Sequence, residues 1–426
     1  MHMIAALAPI VIALLSLVLR LVNLATPKGY VFDEVYYVDG ARDFLKFGVE
    51  VSGNGPEFIV HPPVGKWLIA GGIKIFGNNE FGWRFAVALV GTLLILLFAR
   101  LVHVLFFSPL LTAMGAALMA MDGLALVHSR TALLDLFLTF FVLLAVYLWH
   151  RERHWWAAIS MGLAMGTKWS AAYFLAIIAL ISLYRVFTEH SGKALVKPTL
   201  KKFLQYGLLP IALYITTWSG WFLSSRGWDR QWSSNVITSW WHYHAEILGF
   251  HTGLTEKHSY QANPWSWMIM GRPTSFFYDA PNTCGATSCA QEVLAIGTPI
   301  LWWLGTVAVV VSFGLWIRLL ILKKSNAALN LIVIGMSAGY LPWFFFQKRT
   351  VFTFYSIIFE PFMLLALVYC AKLVLDSDLK SGFSQAIVAT VIVVIFLNFI
   401  YFLPLFTGDV ITYDAWFKRM WLSSWI

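Results

Sequence analysis

The chain has 426 residues, 59% of them hydrophobic and only 12% charged, with a formal net charge of +9 and a mean hydropathy of +0.73. A soluble protein of this size carries about twice that share of charge, so a water-soluble enzyme, a disordered chain and a fibrous repeat are excluded. The apolar residues form long unbroken runs and not alternating segments of roughly ten residues, which excludes an outer-membrane barrel and predicts an all-α polytopic membrane protein.

Apolar runs of about 17 to 25 residues predict about eleven spans. They lie near 4–24, 82–107, 109–127, 131–149, 155–167, 170–187, 203–223, 295–320, 328–346, 352–375 and 385–405. Gly162, Gly166 and Lys168 interrupt the stretch 155–187, which is either one kinked span or two shorter ones. Lys and Arg gather in the short segments 151–154, 185–202 and 318–324, so these are placed in the cytoplasm. This charge pattern suits topology and anionic membrane lipid, and makes no case for nucleic acid. The N-terminus is then cytoplasmic, its first run an uncleaved signal anchor, and the long segments 25–81 and 224–294 lie outside with the C-terminus. Residues 1–426 read as one integral membrane domain.

The first outer segment, 25–81, holds Asp33, Glu34, Asp39, Asp43, Glu50, Glu57 and His61. Two amphipathic helices are expected in it, Glu34 to Phe47 ending at Gly48 and Val64 to Phe76 ending at Gly77. Segment 224–294 is rich in Trp, Tyr and His, as suits the headgroup level. Its loop CGATSC carries Cys284 and Cys289, which could pair in an oxidising compartment, while Cys370 reads as a packed thiol. Three cysteines are too few for a four-thiolate zinc site.

Asp33-Glu34, in YVFDEVYY, is the strongest candidate for chemistry. Asp33 can cap the following helix while Glu34 complements its dipole, or the carboxylate can act as a general base toward an attacking hydroxyl. In HPPVGKW the prolines stiffen a helix entry and could hold His61 and Lys66 toward the acidic pair. With no second His or Cys at ligand spacing nearby, no metal is expected there. Arg84, Arg130, Lys168 and Arg349 fall near the predicted outer ends of spans. Each alone could snorkel to headgroups; together they could hold a lipid phosphate and stabilise a leaving oxyanion. Asp135 could orient Arg130, act as a second carboxylate, or serve as a helix-start charge.

The ordered set FDEVYYV, HPPVGKW, GWR, MDGLALVHSRTALLD, GTKWS, NPWSWMIMGRPTSFFY, AIGTPILWW and RTVFTFYSIIFEPF resembles the bacterial branch of the protein O-mannosyltransferases, glycosyltransferases of the GT-C class. The resemblance runs from about residue 20 to residue 365. Two departures are visible: the inserted lumenal sugar-binding domain of the MIR type is missing, and His258-Ser259-Tyr260 stands where members often have His-Pro-Tyr.

The resemblance implies a GT-C fold in a bacterial plasma membrane and transfer of mannose from polyprenyl-phosphate mannose to Ser or Thr hydroxyls of proteins on the outer face. Acceptors could be met as they leave the secretion channel. It puts the catalytic acidic pair on Asp33 and Glu34 and places Arg84 near the donor. A single inverting displacement is expected, with no cofactor and no metal, because a lipid phosphate already leaves readily and fixed cations can stabilise it. The main alternative is a GT-C enzyme moving another sugar to a lipid or glycan. A transporter would show paired repeats or charges near mid-span, and here the ionisable groups gather at one face.

Overall fold

The computed structural model describes residues 2–426. Its first helices are α1 (His2–Leu21), α2 (Glu34–Phe47), α3 (Val64–Phe76), α4 (Glu80–Phe106), α5 (Pro109–Ala120) and α6 (Gly123–His128). Then follow α7 (Asp135–His150), α8 (His154–Met165), α9 (Ala171–Glu189), α10 (Val196–Phe203), α11 (Leu209–Thr217), α12 (Ser219–Leu223) and α13 (Val236–Gly253). The last are α14 (Pro299–Ile321), α15 (Ala327–Gly339), α16 (Glu360–Leu375), α17 (Ser381–Thr407) and α18 (Tyr413–Phe417). Strands β1 (Val51–Ser52) and β2 (Gly55–Pro56) form one small ribbon, and β3 (Thr274–Asp279), β4 (Cys289–Ala295) and β5 (Val410–Thr412) form an antiparallel sheet in that order.

Helix stands at every predicted span, with informative interruptions. Five helical stretches are long and apolar enough to cross a membrane: Glu80–Phe106, Ala171–Glu189, Pro299–Ile321, Ala327–Phe346 and Ser381–Thr407. With the shorter apolar helices α5 and α7, they make this a multi-pass membrane protein. Residues 155–187 are two helices, α8 and α9, parted over 166–170. The break is tied down, because the Val64 N–H donates to the Gly166 carbonyl at 2.9 Å. A Cβ on Gly166 would stand 2.8 Å from both Val64 and Thr217 side chains, so only glycine allows this approach. The expected span 109–127 is divided too, since Asp122 accepts the Ala125 N–H at 3.0 Å and starts α6. Within 352–375 the α-helix begins only at Glu360, after a 3₁₀ turn over Thr353–Ile358 and with Pro361 in its first turn.

Both amphipathic helices of the first long segment lie where the sequence puts them. Gly48, at φ 73°, closes α2 by donating its N–H to the Phe44 carbonyl at 3.2 Å.

The chain divides into two compact units. The first comprises Met1–Phe32, Val87–Thr131 and Lys257–Ile426. At its centre α16, buried from Glu360 to Tyr369, packs against α5, α14, α15 and α17. The sheet lies against α17 and α6, and a disulfide between Cys284 and Cys289 closes the link between β3 and β4. The half-buried Cys370 is a free thiol.

The second unit comprises Asp33–Ala86 and Ala132–Glu256. Here α2 packs on α3, α7 on α8, and α8 on α11. Tyr214, Trp218, Trp221, Tyr243 and Ile247 form a buried cluster with Val49 and Val51. Part of the aromatic wealth expected at the headgroup level therefore builds a core: the Tyr243 hydroxyl donates to the Ile59 carbonyl at 3.0 Å and fastens α13 to the first long segment.

Candidate active site

Two neighbouring carboxylates at the start of α2 have opposite surroundings. Glu34 is fully buried, and Arg84 forks onto it, Nε to Oε1 and Nη2 to Oε2 at 2.8 Å each. The Ala132 N–H adds a third bond to Oε1 at 2.8 Å. One side chain thus ties α2 to α4 and to the chain leading into α7. A carboxylate with three charge-assisted bonds is a fixed structural group.

Asp33 is half-buried and occupies the N-cap position, with φ −71° and ψ 2°, yet its side chain makes no capping hydrogen bond. The capping alternative is not what the fold uses. The backbone takes over, the Asp33 carbonyl accepting the Tyr36 and Tyr37 N–H groups at 3.1 and 3.3 Å. The carboxylate is left to its neighbours Tyr37, Lys168 and Asp135. Burial pushes its pKa up to about 6; Lys168 opposes this, Asp135 adds to it, and the Tyr37 hydroxyl bond opposes it. Tyr37 is one turn beyond Asp33, a spacing visible in the sequence although the role was not foreseen.

Lys168 donates to both oxygens of Asp135, at 2.9 and 2.8 Å. The lysine sits on the turn after α8 that Val64 and Gly166 pin, and the aspartate opens α7. Asp135 is thereby a partner of Lys168.

Several other expected site residues have partners of their own. Two guanidinium nitrogens of Arg84 belong to Glu34, which makes it a holder of the acidic pair. In the first unit, Arg130 donates through Nη1 to the carbonyls of Leu19, Arg20 and Val22 (3.1, 2.9 and 2.8 Å) and through Nη2 to that of Asn23 (3.0 Å). These are the carbonyls at the end of α1, so Arg130 caps that helix. Lys66 is buried in an ion pair with Glu50. Burial lifts Glu50 to about 7 against the pull of Lys66. The sequence contains both residues but gives no cue that they meet.

His61 lies with its ring 6.1 Å from that of Tyr37 and stacks on His251 at 5.3 Å. Arg349 is half-buried on the turn before Thr350 in the first unit. In that unit Phe32, at φ 53°, stacks on Phe276 with centroids 4.6 Å apart and meets Phe354 edge-on at 5.4 Å. This aromatic seat holds the residue just before Asp33, and sequence patterning gave no sign of it.

The arrangement can remove a proton. At neutral pH a carboxylate with a pKa of about 6 is ionised by roughly ten to one and is more basic than an ordinary aspartate.

Comparison with known proteins now decides the family. Residues 60–221 match the family described as dolichyl-phosphate-mannose-protein mannosyltransferase, and residues 236–425 match the C-terminal four TMM region of protein-O-mannosyltransferase. The chain is 32% identical to the polyprenol-phosphate-mannose–protein mannosyltransferase of Mycobacterium tuberculosis, over 97% of this chain and 90% of that one. The chain belongs to the protein O-mannosyltransferase family. A relative of the same description from Corynebacterium glutamicum is 31% identical, over 97% of this chain and 92% of its own. Among solved structures, the Saccharomyces cerevisiae protein O-mannosyltransferase Pmt1-Pmt2 complex bound to the sugar donor superposes with a TM-score of 0.82 at 16% identity, covering 99% of this chain and 92% of the other. ArnT from Cupriavidus metallidurans gives 0.52 at 14% identity, over 94% and 73%. The fold is of the GT-C type, and this member of the mannosyltransferase family is a glycosyltransferase.

Proposed function

We propose that the protein transfers mannose from polyprenyl-phosphate mannose to Ser or Thr hydroxyls of proteins at the outer face of a bacterial plasma membrane. The donor and the protein acceptor come from the descriptions of the relatives. The observation that carries the mechanism is Asp33, which stands at a helix start without capping it and keeps a basic carboxylate beside Tyr37 and the Lys168–Asp135 pair.

In this scheme Asp33 takes the proton of the acceptor hydroxyl as its oxygen bonds to the anomeric carbon. The bond from that carbon to the phosphate oxygen breaks with inversion. Glu34 and Arg84 hold Asp33 in place, His61 helps to shape the pocket, and Lys168 and Arg349 are the candidates for the donor phosphate. The leaving lipid phosphate needs only fixed positive charge, so no metal enters the chemistry. Basic connections such as 185–202 support a cytoplasmic N-terminus and an outer site. The aromatic segment 224–294 is the proposed path for the acceptor.

The test is transfer of labelled mannose from polyprenyl-phosphate mannose to a Ser/Thr-Pro-rich peptide by purified membranes. Wild type labels the peptide, also in EDTA with saturating acceptor, and Asp33→Asn lowers the rate by about 10²-fold or more while the protein stays folded. An unlabelled peptide with wild type, or an Asp33→Asn variant as fast as wild type, overturns the reading.

A further inference from the structure

Away from the acidic pair, three side chains of the second unit converge as metal ligands do. Asp229 comes from the connection between α12 and α13, where it holds a positive φ of 51°. His242 and Glu246 lie one turn apart on the same face of α13. His242 Nε2 is 3.3 Å from Asp229 Oδ2 and 3.8 Å from Glu246 Oε1. One ligand atom from each falls within 4.8 Å of the other two. Donors held about 2.0–2.2 Å from a tetrahedral ion stand roughly 3.3–3.6 Å apart, so small side-chain rotations bring these three to bonding distance.

The local charge calls for a cation. Two carboxylates, Asp229 and Glu246, flank the His242 imidazole, with one ligand atom from each residue within 4.8 Å of the others. His242 offsets them only when protonated. Its ring is steadied by stacking on Trp232 at 3.9 Å, and Trp228 Nε1 donates to Glu246 Oε2 at 2.8 Å while Oε1 is the oxygen nearer the imidazole. Such outer bonds orient first ligands in known metal sites.

We propose that Asp229, His242 and Glu246 bind one divalent ion of the zinc class, which clasps the 224–235 connection onto α13. An imidazole with two carboxylates suits such a borderline cation, whereas calcium asks for six to eight oxygens. The ion is structural and takes no part in sugar transfer.

Full-length protein without a histidine tag, in lipid nanodiscs, would be stripped with chelator and dialysed against Zn²⁺. Bound metal is read by elemental mass spectrometry and loop order by hydrogen exchange. Wild type should take up about one ion per chain and slow exchange across 225–235. Asp229→Asn and Glu246→Gln should each weaken binding about tenfold or more, and His258→Gln should change nothing. Unchanged melting of the variants in chelator shows that they fold. The proposal is overturned if wild type binds no Zn²⁺, if binding leaves exchange in 225–235 unaltered, or if the Asp229→Asn/Glu246→Gln double variant binds as wild type does.

Discussion

Arg84 holds Glu34 through two 2.8 Å bonds in a fully buried fork, and Glu34 is the residue next to Asp33. This pair fixes the first turn of α2, and with it the backbone from which the proposed base projects. Arg84→Lys should therefore lower kcat, by at least tenfold, with little change in donor KM, because Lys cannot reproduce the fork. A rise in donor KM at unchanged kcat would instead make Arg84 a ligand of the donor phosphate.

The electrostatics of Asp33 predict the acid limb of the pH–rate profile. Activity needs the ionised base, so the rate should fall as pH drops through about 6. Lys168 lowers the Asp33 pKa and Asp135 raises it. Lys168→Met should move the limb to higher pH and Asp135→Asn to lower pH. Initial rates measured from pH 5 to 8 would reveal the shifts, and movement of both variants in the same direction would contradict the assignment.

The Glu50–Lys66 pair is buried on both sides, with 3% exposure for each side chain. Removing the acid strands the lysine's charge, so Glu50→Gln alone should cost about 3–5 kcal/mol. Lys66→Met alone should cost less at neutral pH because Glu50, already raised to about 7, then takes up a proton. The double variant should recover most of that loss. Thermal unfolding in detergent provides the measurement, and simple additivity of the single losses would argue against direct coupling.

The disulfide between Cys284 and Cys289 closes the β3–β4 connection. If that connection faces an oxidising compartment, protein isolated without reductant should resist thiol alkylation at both positions while Cys370 remains a free thiol. Mass spectrometry of alkylated peptides checks this directly.

Much of the architecture was legible in the residues because the signals are local. Apolar run length marks the helices that span, and the glycines after Phe47 and Phe76 mark where α2 and α3 stop. Periodicity was less informative where one residue interrupts a run. Asp122 divides a predicted span by capping a new helix, and the pinned glycine at 166 separates α8 from α9. In the site, Asp33 stood out because a carboxylate is conspicuous in so apolar a chain. Its freedom from capping did not, since that depends on where Lys168 and Asp135 come to rest.

The sequence by itself determined the solvent, the helical class and the family, because hydrophobicity, spacing and ordered motifs are properties of the chain. The tertiary structure alone decided the partner of each charge. Arg84 went to Glu34 across 50 positions, Lys168 to Asp135 across 33, and Lys66 to Glu50 across 16. In a low-dielectric interior a buried ion must find its counter-ion, and which one it finds is set by helix packing, not by distance along the chain.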